Sequence, residues 1–311
     1  MTILTAATRN SPLALAQTQI VIDALKKTHP DVNIKIKTIT TKGDRDKTTA
    51  LWRLKGYGFF TSQLEQALLD GHADFAVHSF KDMPTELTQG LMIAAVPERN
   101  FPEDVMVAEL PANSLQDLPS GTKIGTSSPR RIAQLKYLKP DLNIVPIRGN
   151  VQTRVEKLQS GQFDSIILAR AGLERLSLAE KISFVFDPDI FIPAPAQGAL
   201  AVQAGTDRPD LINLLATLNH DKTRLAVQAE RMVLARLHPG CHAPVGVFAK
   251  IADSDIMIRA FVADLDGKNY LQKQTQGNVC DTEKLAEALA DELIKAGADK
   301  IIERLKINEP N

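Results

Sequence analysis

Hydroxyl and arginine side chains follow three short apolar strands at points where helices are predicted to begin. These turns span residues 8–12, 125–131 and 148–154. A strand-to-helix turn offers free backbone N–H groups and the positive end of a helix dipole, both of which favour an anion. Arginine adds a planar fork of donors that matches a carboxylate or a phosphate. Because the chain has a formal net charge of zero, three such turns predict a binding site for a multiply charged anion.

Arginines also occur on solvated helix faces, where their ion pairs contribute little. That interpretation fits Arg224 and Arg231. It fits Arg130, Arg131 and Arg148 less well, because glycine and hydroxyl residues beside them open the backbone to a ligand.

A carboxylate at the end of a predicted strand is a second group that could take part in chemistry. Asp82 could act as a base or stabilise a developing cation, or it could be a surface residue paired with Lys81. His78, earlier on the same strand, is interpreted as a core or orienting histidine. Phe60 precedes a predicted helix, where it could pack as a staple or form an aromatic wall over a planar substrate.

A thiol in a tight turn is the third group that could take part in chemistry. Cys241 lies between glycine and proline residues in segment 239–244, which keeps the side chain accessible. It could be an activated nucleophile, a covalent attachment point or an inert buried thiol. Cys241 and His242 are adjacent, and this is not the ligand spacing of a zinc site, so no metal is expected.

The elements that position these groups alternate between strand and helix over the first two-thirds of the chain. Parallel sheets with ligands at the carboxyl ends of the strands are therefore predicted. Residues 42–58 have no clear period and contain three glycines, which is typical of a mobile lid. Residues 245–277 alternate like β-hairpins with a turn at 264–267, and one final helix is predicted over 282–305.

Two proline-containing crossings, at 97–102 and 192–198, divide the predicted elements. Domain 1 is predicted to comprise residues 1–98 and 199–219, domain 2 residues 103–193, and domain 3 residues 220–311. The fold class is α/β: two βα domains around a cleft, followed by a small α+β domain that carries Cys241.

Composition excludes several classes of protein. The balanced charge and the absence of a basic–aromatic stretch argue against a nucleic-acid partner. Two cysteines are too few for a disulfide framework. No secretory signal and no run of about 20 apolar residues is visible, so neither export nor a membrane span is expected, and a cytoplasmic location is predicted.

Six segments together resemble the hydroxymethylbilane synthase, or porphobilinogen deaminase, family. They occur in the family's order, at residues 7–15, 76–84, 125–131, 147–154, 195–198 and 240–241. The resemblance implies a monomeric tetrapyrrole-pathway transferase of three domains, the first two like periplasmic binding proteins. It implies that four porphobilinogen molecules are condensed with release of ammonia on a dipyrromethane cofactor.

The resemblance also implies roles for individual residues. Asp82 would stabilise positive charge on the pyrrole nitrogen, and Cys241 would hold the cofactor through a thioether. Further cofactor contacts would come from Ser79, Lys81, Thr126, Ser127, Ser128, Arg130, Arg131 and Gly149. Substrate contacts would come from Arg9, Ser11, Phe60, Arg148, Arg154, Arg175 and Gln197.

Three positions depart from the family pattern, and two other functions stay open. The roles of Thr5, Tyr57 and Arg170 are not transferred from the family. One alternative is a two-lobed protein that binds a small anion without catalysis, although no secretion signal supports it. The other is a hydrolase or transferase that uses Cys241 as a nucleophile, which would need a base near the thiol.

Overall fold

The computed structural model describes residues 3–41, 61–109, 112–238 and 243–307. The predicted lid at residues 42–58, with Tyr57, lies outside the described residues, and so do Phe60 and Cys241.

The described strands alternate with helices over the first two-thirds of the chain. The strands are β1 (Ile3–Arg9), β2 (Asn33–Ile39), β3 (Phe75–Ser79), β4 (Leu91–Ala95), β5 (Asp104–Ala108), β6 (Lys123–Gly125), β7 (Asn143–Val145), β8 (Ser165–Ala169), β9 (Phe184–Val185), β10 (Leu200–Gly205), β11 (Val245–Ala252), β12 (Asp255–Ala263) and β13 (Tyr270–Asn278). The α-helices are α1 (Pro12–Thr28), α2 (Ser62–Leu69), α3 (Pro129–Leu138), α4 (Val151–Gln159), α5 (Arg170–Arg175), α6 (Pro209–Ala216), α7 (Asp221–Leu237), α8 (Thr282–Lys295) and α9 (Ala298–Ile307).

The chain forms two compact units. The first comprises Met1–Asn100 and Gly198–Arg224, and the second comprises Phe101–Gln197 and Leu225–Asn311. The first unit overlaps the residues of predicted domain 1, whose boundaries stay a prediction. Predicted domains 2 and 3 both fall in the second unit, and their division into separate domains stays a prediction.

The first unit is built on a five-stranded sheet of order β2-β1-β3-β10-β4. Strand β1 runs parallel to β2 and β3, whereas β10 is antiparallel to both β3 and β4. The expectation of a purely parallel sheet is therefore wrong. Strand β10 does not follow a βα crossover within this sheet: it enters after the segment 101–197, which belongs to the second unit, so the handedness rule for parallel neighbours does not apply to it.

The second unit contains a five-stranded sheet of order β7-β6-β8-β5-β9. Strand β6 is parallel to β7 and β8, and β5 is antiparallel to β8 and β9. The arrangement matches the first sheet strand for strand, although no internal repeat is evident in the sequence. Both faces of this sheet are covered by apolar clusters, in which Ile124, Leu135 and Ile166 are completely buried.

The C-terminal part of the second unit is an antiparallel sheet of order β11-β12-β13, packed against α7, α8 and α9. The predicted turn at residues 264–267 joins β12 and β13, as expected. The single final helix is wrong, because two helices meet at Gly297. This glycine has φ of +102°, in the left-handed region that favours glycine, and its N–H donates to the carbonyl of Ile294 at 2.9 Å, which ends α8.

Two βα sheets with a small C-terminal α+β region confirm the predicted fold class. Within the part of the chain that the structure describes, no helix is both long enough and apolar enough to cross a bilayer.

Candidate functional site

The carboxyl ends of β1 and β3 form one side of a recess in the first unit. Because these strands are parallel, the residues that follow them lie at the same edge of the sheet. Arg9 and Ser11 line the recess from the β1–α1 turn, and Ser79 and Asp82 line it from the end of β3. The recess has an empty volume of about 420 Å³, including the part open to solvent. The fold thus brings four of the predicted site residues together.

Local sequence explains how these side chains are held. Ser11 caps α1, and its Oγ accepts from the backbone N–H of Ala14 at 3.3 Å. Ser79 Oγ accepts from Gln17 Nε2 of α1 at 2.8 Å. Strand β3 then passes into a single 3₁₀ turn, Phe80–Asp82, in which Phe80 is buried and both Lys81 and Asp82 are exposed.

Sequence reasoning missed part of this recess. Gln17 and Thr61 also line it, and so does His78, whose side chain is buried. Burial lowers the pKa of His78 from 6.5 to about 4; Gln203 opposes this shift and the charge of Arg9 adds to it. His78 is therefore neutral above about pH 4. Its burial agrees with the core or orienting histidine predicted from the sequence.

In the second unit, Arg130 and Arg131 begin α3 and are both buried against one carboxylate. Arg130 Nη2 lies 2.7 Å from Asp104 Oδ2, and Arg131 Nη2 lies 2.7 Å from Asp104 Oδ1. The two side chains also donate to the carbonyls of Ile192 and Ile167, at 2.8 and 2.9 Å. Burial lowers the pKa of Arg130, and Asp104 opposes that shift. Their predicted cofactor binding stays a prediction, and it would use the donors that these partners leave.

Asp104 also receives Gln197, which was predicted to bind substrate. Gln197 is buried, and its Nε2 donates to Asp104 Oδ1 at 3.0 Å and to the Pro102 carbonyl at 2.8 Å. These contacts give Gln197 a structural role; substrate binding by it stays a prediction.

A second buried carboxylate, Glu230 of α7, holds the segment just before Gln197. It accepts from the backbone N–H of Ala196 at 2.6 Å and of Ala249 at 2.8 Å. Ala196 has φ of +63°, a conformation that an L-residue keeps only when its surroundings impose it. Sequence reasoning missed both carboxylates, because no local pattern links either of them to its distant partners.

The turn between β7 and α4 carries the strongest indication of an anion site. Arg148 Nη2 is buried and has no hydrogen-bond partner among the described residues. Arg154 Nε donates to the Gly149 carbonyl at 2.8 Å. Burial, together with the charges of Arg131 and Arg148, lowers the pKa of Arg154 to about 10. The guanidinium groups of Arg131 and Arg148 therefore lie close enough to repel that of Arg154, which an anion would relieve.

Gly149 is required at this turn for two reasons. Its φ is +116°, and a Cβ atom would lie 2.7 Å from the side chain of Thr153. The next residue, Asn150, caps α4 by accepting from the Thr153 N–H at 2.8 Å. The turn can thus close tightly beside Arg148.

The predicted hydroxyl residues hold the neighbouring turn. Ser127 Oγ donates to the Ile147 carbonyl at 2.8 Å and lies 3.0 Å from the Ile147 N–H. Thr126 Oγ1 lies 3.3 Å from the backbone N–H of Ser128. Ser127 therefore ties the 125–131 turn to the 147–154 turn, which places the two arginine-bearing segments side by side.

Three further arginines are buried or paired in ways that the sequence did not predict. Arg175 ends α5, and burial lowers its pKa to about 10. Arg224 was interpreted as solvated, and this is wrong: it donates to the Ile93 carbonyl at 2.9 Å. Arg170, unexplained in the sequence, lies 4.5 Å from the Phe101 ring and 3.0 Å from Glu174.

Among the described residues, no group of three or more histidine, cysteine, aspartate or glutamate side chains could hold a metal ion.

Two family models match the chain. One is described as porphobilinogen deaminase, dipyromethane cofactor binding domain, and matches residues 4–213; the other, porphobilinogen deaminase, C-terminal domain, matches residues 224–295. A porphobilinogen deaminase from Desulforudis audaxviator is 44% identical, and one from Carboxydothermus hydrogenoformans is 42% identical. Each of these alignments covers 96% of this chain and 96% of the relative.

The chain belongs to the porphobilinogen deaminase family. It is accordingly a transferase, and its residues 4–213 match the domain that binds the dipyrromethane cofactor. A solved periplasmic sulfonate-binding protein from Methylobacillus flagellatus KT is also similar, with a TM-score of 0.40 and 13% identity over 76% of this chain and 69% of that one. At this score the likeness adds nothing to the fold class, which rests on the sheet topology.

The described residues fit the family's cofactor. A dipyrromethane carries carboxylate side groups. The second unit offers Arg148 Nη2, which is buried and unpartnered within residues 112–238 and the other described ranges, and which lies near Arg154. Such a donor is costly to leave unpaired, so a carboxylate oxygen is a favourable partner for it.

The neutral His78 gives a pH dependence with a defined sign. The unfolded chain binds this proton near pH 6.5 and the folded protein only near pH 4, so the unfolded chain holds more protons in between. The free energy of unfolding must therefore fall as the pH falls through this window, by roughly 3 kcal/mol in full. We expect His78→Gln to remove this loss, as measured by urea unfolding between about pH 7 and pH 4.5.

The exposed His72 supplies the matched control, because His72→Gln should leave the pH dependence of unfolding as it is in the wild type. If His78→Gln and the wild type lost stability in parallel, the burial argument for His78 would be wrong.

Proposed function

We propose that this chain joins four porphobilinogen molecules into linear hydroxymethylbilane and releases one ammonia for each. The observation that carries the residue assignment is Arg148 Nη2, which is buried and has no hydrogen-bond partner in the part of the chain that the structure describes; the charges of Arg148 and Arg131 both act on Arg154 nearby. Porphobilinogen has an acetate and a propionate group, so every added ring brings two carboxylates to be held.

Carboxylate binding is the first part of the proposal. Arg148 and Arg154 bind carboxylates of the growing chain in the second unit, and Arg9 and Ser11 bind those of the substrate in the first. Each charge-assisted hydrogen bond contributes about 1.5–3 kcal/mol. Arg130 and Arg131, which are paired with Asp104, add positive charge nearby, and Arg175 adds a further, half-buried cation.

Asp82 carries the chemistry in the proposal. When the aminomethyl C–N bond of the substrate breaks, ammonia leaves and positive charge spreads onto the pyrrole nitrogen. The carboxylate of Asp82 accepts a hydrogen bond from the pyrrole N–H and stabilises the positive charge on the ring. A C–C bond then forms, and the proton lost from the attacking carbon passes by way of Asp82 towards the departing ammonia. Ser79, held by Gln17, fixes the backbone that aims Asp82.

Cys241 is the attachment point in the proposal. When bound, the dipyrromethane supplies the free pyrrole carbon to which the first substrate is joined. The thiol of Cys241 holds it through a thioether and is not turned over. We further propose that the enzyme acts as a cytoplasmic monomer. We also propose that it has no nucleic-acid partner, which the balanced charge of the chain supports.

Intact-mass measurement on the purified wild-type protein tests the attachment. We expect a stable excess equal to two linked pyrroles in the wild type and none in Cys241→Ser, whereas Cys280→Ser should keep the excess because Cys280 is an exposed thiol elsewhere. An active wild-type enzyme of unmodified mass would refute the attachment. A protein that binds porphobilinogen but releases no ammonia would instead favour the small-anion binding alternative.

Asp82→Asn tests the chemical role. The amide keeps the size of the side chain but loses the charge and the basicity, so turnover should fall at least 100-fold. Ammonia release gives the rate, and thermal unfolding checks the fold, which should persist because Asp82 is exposed. Asp210→Asn, at an exposed position on α6, is the control. Near-normal turnover in Asp82→Asn would remove this carboxylate from the chemistry.

Arg148→Leu tests carboxylate binding in the second unit. Loss of one charge-assisted contact should weaken binding or elongation by about 10- to 100-fold, seen as a raised KM or as stalled intermediates in the mass spectrum. Stability should not fall, because the variant removes a buried donor that has no partner among the residues that the structure describes. Arg236→Leu, at an exposed arginine, is the control. Unchanged elongation kinetics would contradict the role of Arg148.

A further inference from the structure

One face of the first sheet carries a row of polar side chains beneath α2. Strands β1 and β3 pair in parallel with Ala7 opposite Ala76. Side chains alternate between faces with a period of two, so the same register places Arg9 beside His78 on the face that Ala7 and Ala76 share. Helix α2 covers this face, because Leu64 and Leu68 pack on the two alanines.

Strand β10 continues the row on the other side of His78. It pairs antiparallel with β3, placing Ala201 opposite His78 and Gln203 opposite Ala76. Gln203 is therefore the diagonal neighbour of His78 on the same face, within reach of its side chain.

Helix α2 ends the row with a buried carboxylate. Glu65 Oε1 accepts from Gln203 Nε2 at 3.0 Å, and Glu65 Oε2 accepts from Thr88 Oγ1 at 3.0 Å. Glu65 and Gln203 are both buried. The orientation of the Gln203 amide is thereby fixed: its nitrogen faces Glu65, and its oxygen faces away.

The middle of the row is incompletely hydrogen-bonded. Gln203 Oε1 and His78 Nε2 are both buried and without a partner at hydrogen-bond geometry among the described residues. The strand register places the His78 side chain between Arg9 of β1 and Gln203 of β10 on this face, and the two neighbours act on its pKa in opposite senses, Gln203 raising it and Arg9 lowering it. Buried polar atoms without a partner are rare, and hydrogen bonds that are long in an apo site often tighten when substrate binds.

We propose that His78 is a positioning residue that holds Arg9 for the substrate carboxylate, with Gln203 and Glu65 fixing the imidazole from behind. The proposal rests on the proposed function, since it assigns Arg9 to substrate binding. In the proposal the neutral imidazole comes into hydrogen-bond contact with Arg9 when substrate binds, and it adds no second positive charge there. Its neighbour Gln203 is oriented by Glu65. Glu65 of α2 does not line the recess itself, and in the proposal it acts on the recess through Gln203 and His78.

Steady-state kinetics on the complete enzyme with porphobilinogen tests this role. His78→Phe keeps the ring shape and removes both nitrogens, so KM should rise about 10-fold, the loss of one charge-assisted contact, with a much smaller change in kcat. His78→Gln keeps a polar nitrogen near the position of Nε2 and should restore KM to within about threefold of wild type. Gln203→Met removes the amide and should reproduce the KM of His78→Phe.

The outcomes separate this inference from the proposed function. His72→Phe, at an exposed histidine, should leave both constants unchanged, and thermal unfolding reports folding for every variant. A folded His78→Phe with a wild-type KM, or a KM equally raised in His78→Gln and His78→Phe, would overturn the positioning role. If the wild type itself produced no hydroxymethylbilane, the proposed function would fail before the variants were compared.

Discussion

The second unit depends on one fully buried carboxylate, that of Asp104. Two guanidinium groups and an amide converge on it, from the start of α3 and from the segment before β10. Burying two arginines without a counter-charge would be prohibitively unfavourable, and their attraction to one carboxylate in a low dielectric offsets much of the desolvation. Asp104 is the first residue of β5, so the ion pair also fixes this strand relative to α3.

That arrangement explains how so much positive charge can gather in a chain with no net charge. Arg131 is held by Asp104, yet its charge still acts on Arg154, and so does the charge of Arg148. Among the described residues, the protein offers no buried acid that pairs with Arg148 or Arg154. It keeps them close through backbone contacts, namely the Gly149 carbonyl and the turn closed by Ser127. In the proposed function, a carboxylate-bearing ligand supplies the negative charge that these two arginines lack.

Sequence patterns predicted the local features well. Ser11 and Pro12 marked the start of α1, and the hairpin turn at residues 264–267 was correct, because caps and turns depend on neighbouring residues. The grouping of Arg9, Ser11, Ser79 and Asp82 followed from parallel strands sharing an edge. Antiparallel β10, the carboxylates of Asp104 and Glu230, and the break at Gly297 were not predicted. The first two depend on partners far away in the chain, and the amphipathic pattern of the last helix runs through the glycine.

The matching strand order of the two sheets places different side chains at equivalent strand ends. The middle one of the three parallel strands is β1 in the first sheet and β6 in the second, so the 8–12 turn and the 125–131 turn that follow them are equivalent. The next strand is β3 in the first sheet and β8 in the second. Asp82 follows β3, whereas Arg170 follows β8 and contacts Phe101, Glu103 and Glu174. One topology therefore carries two kinds of edge: an exposed carboxylate follows this strand in the first sheet, and an ion-paired guanidinium follows it in the second.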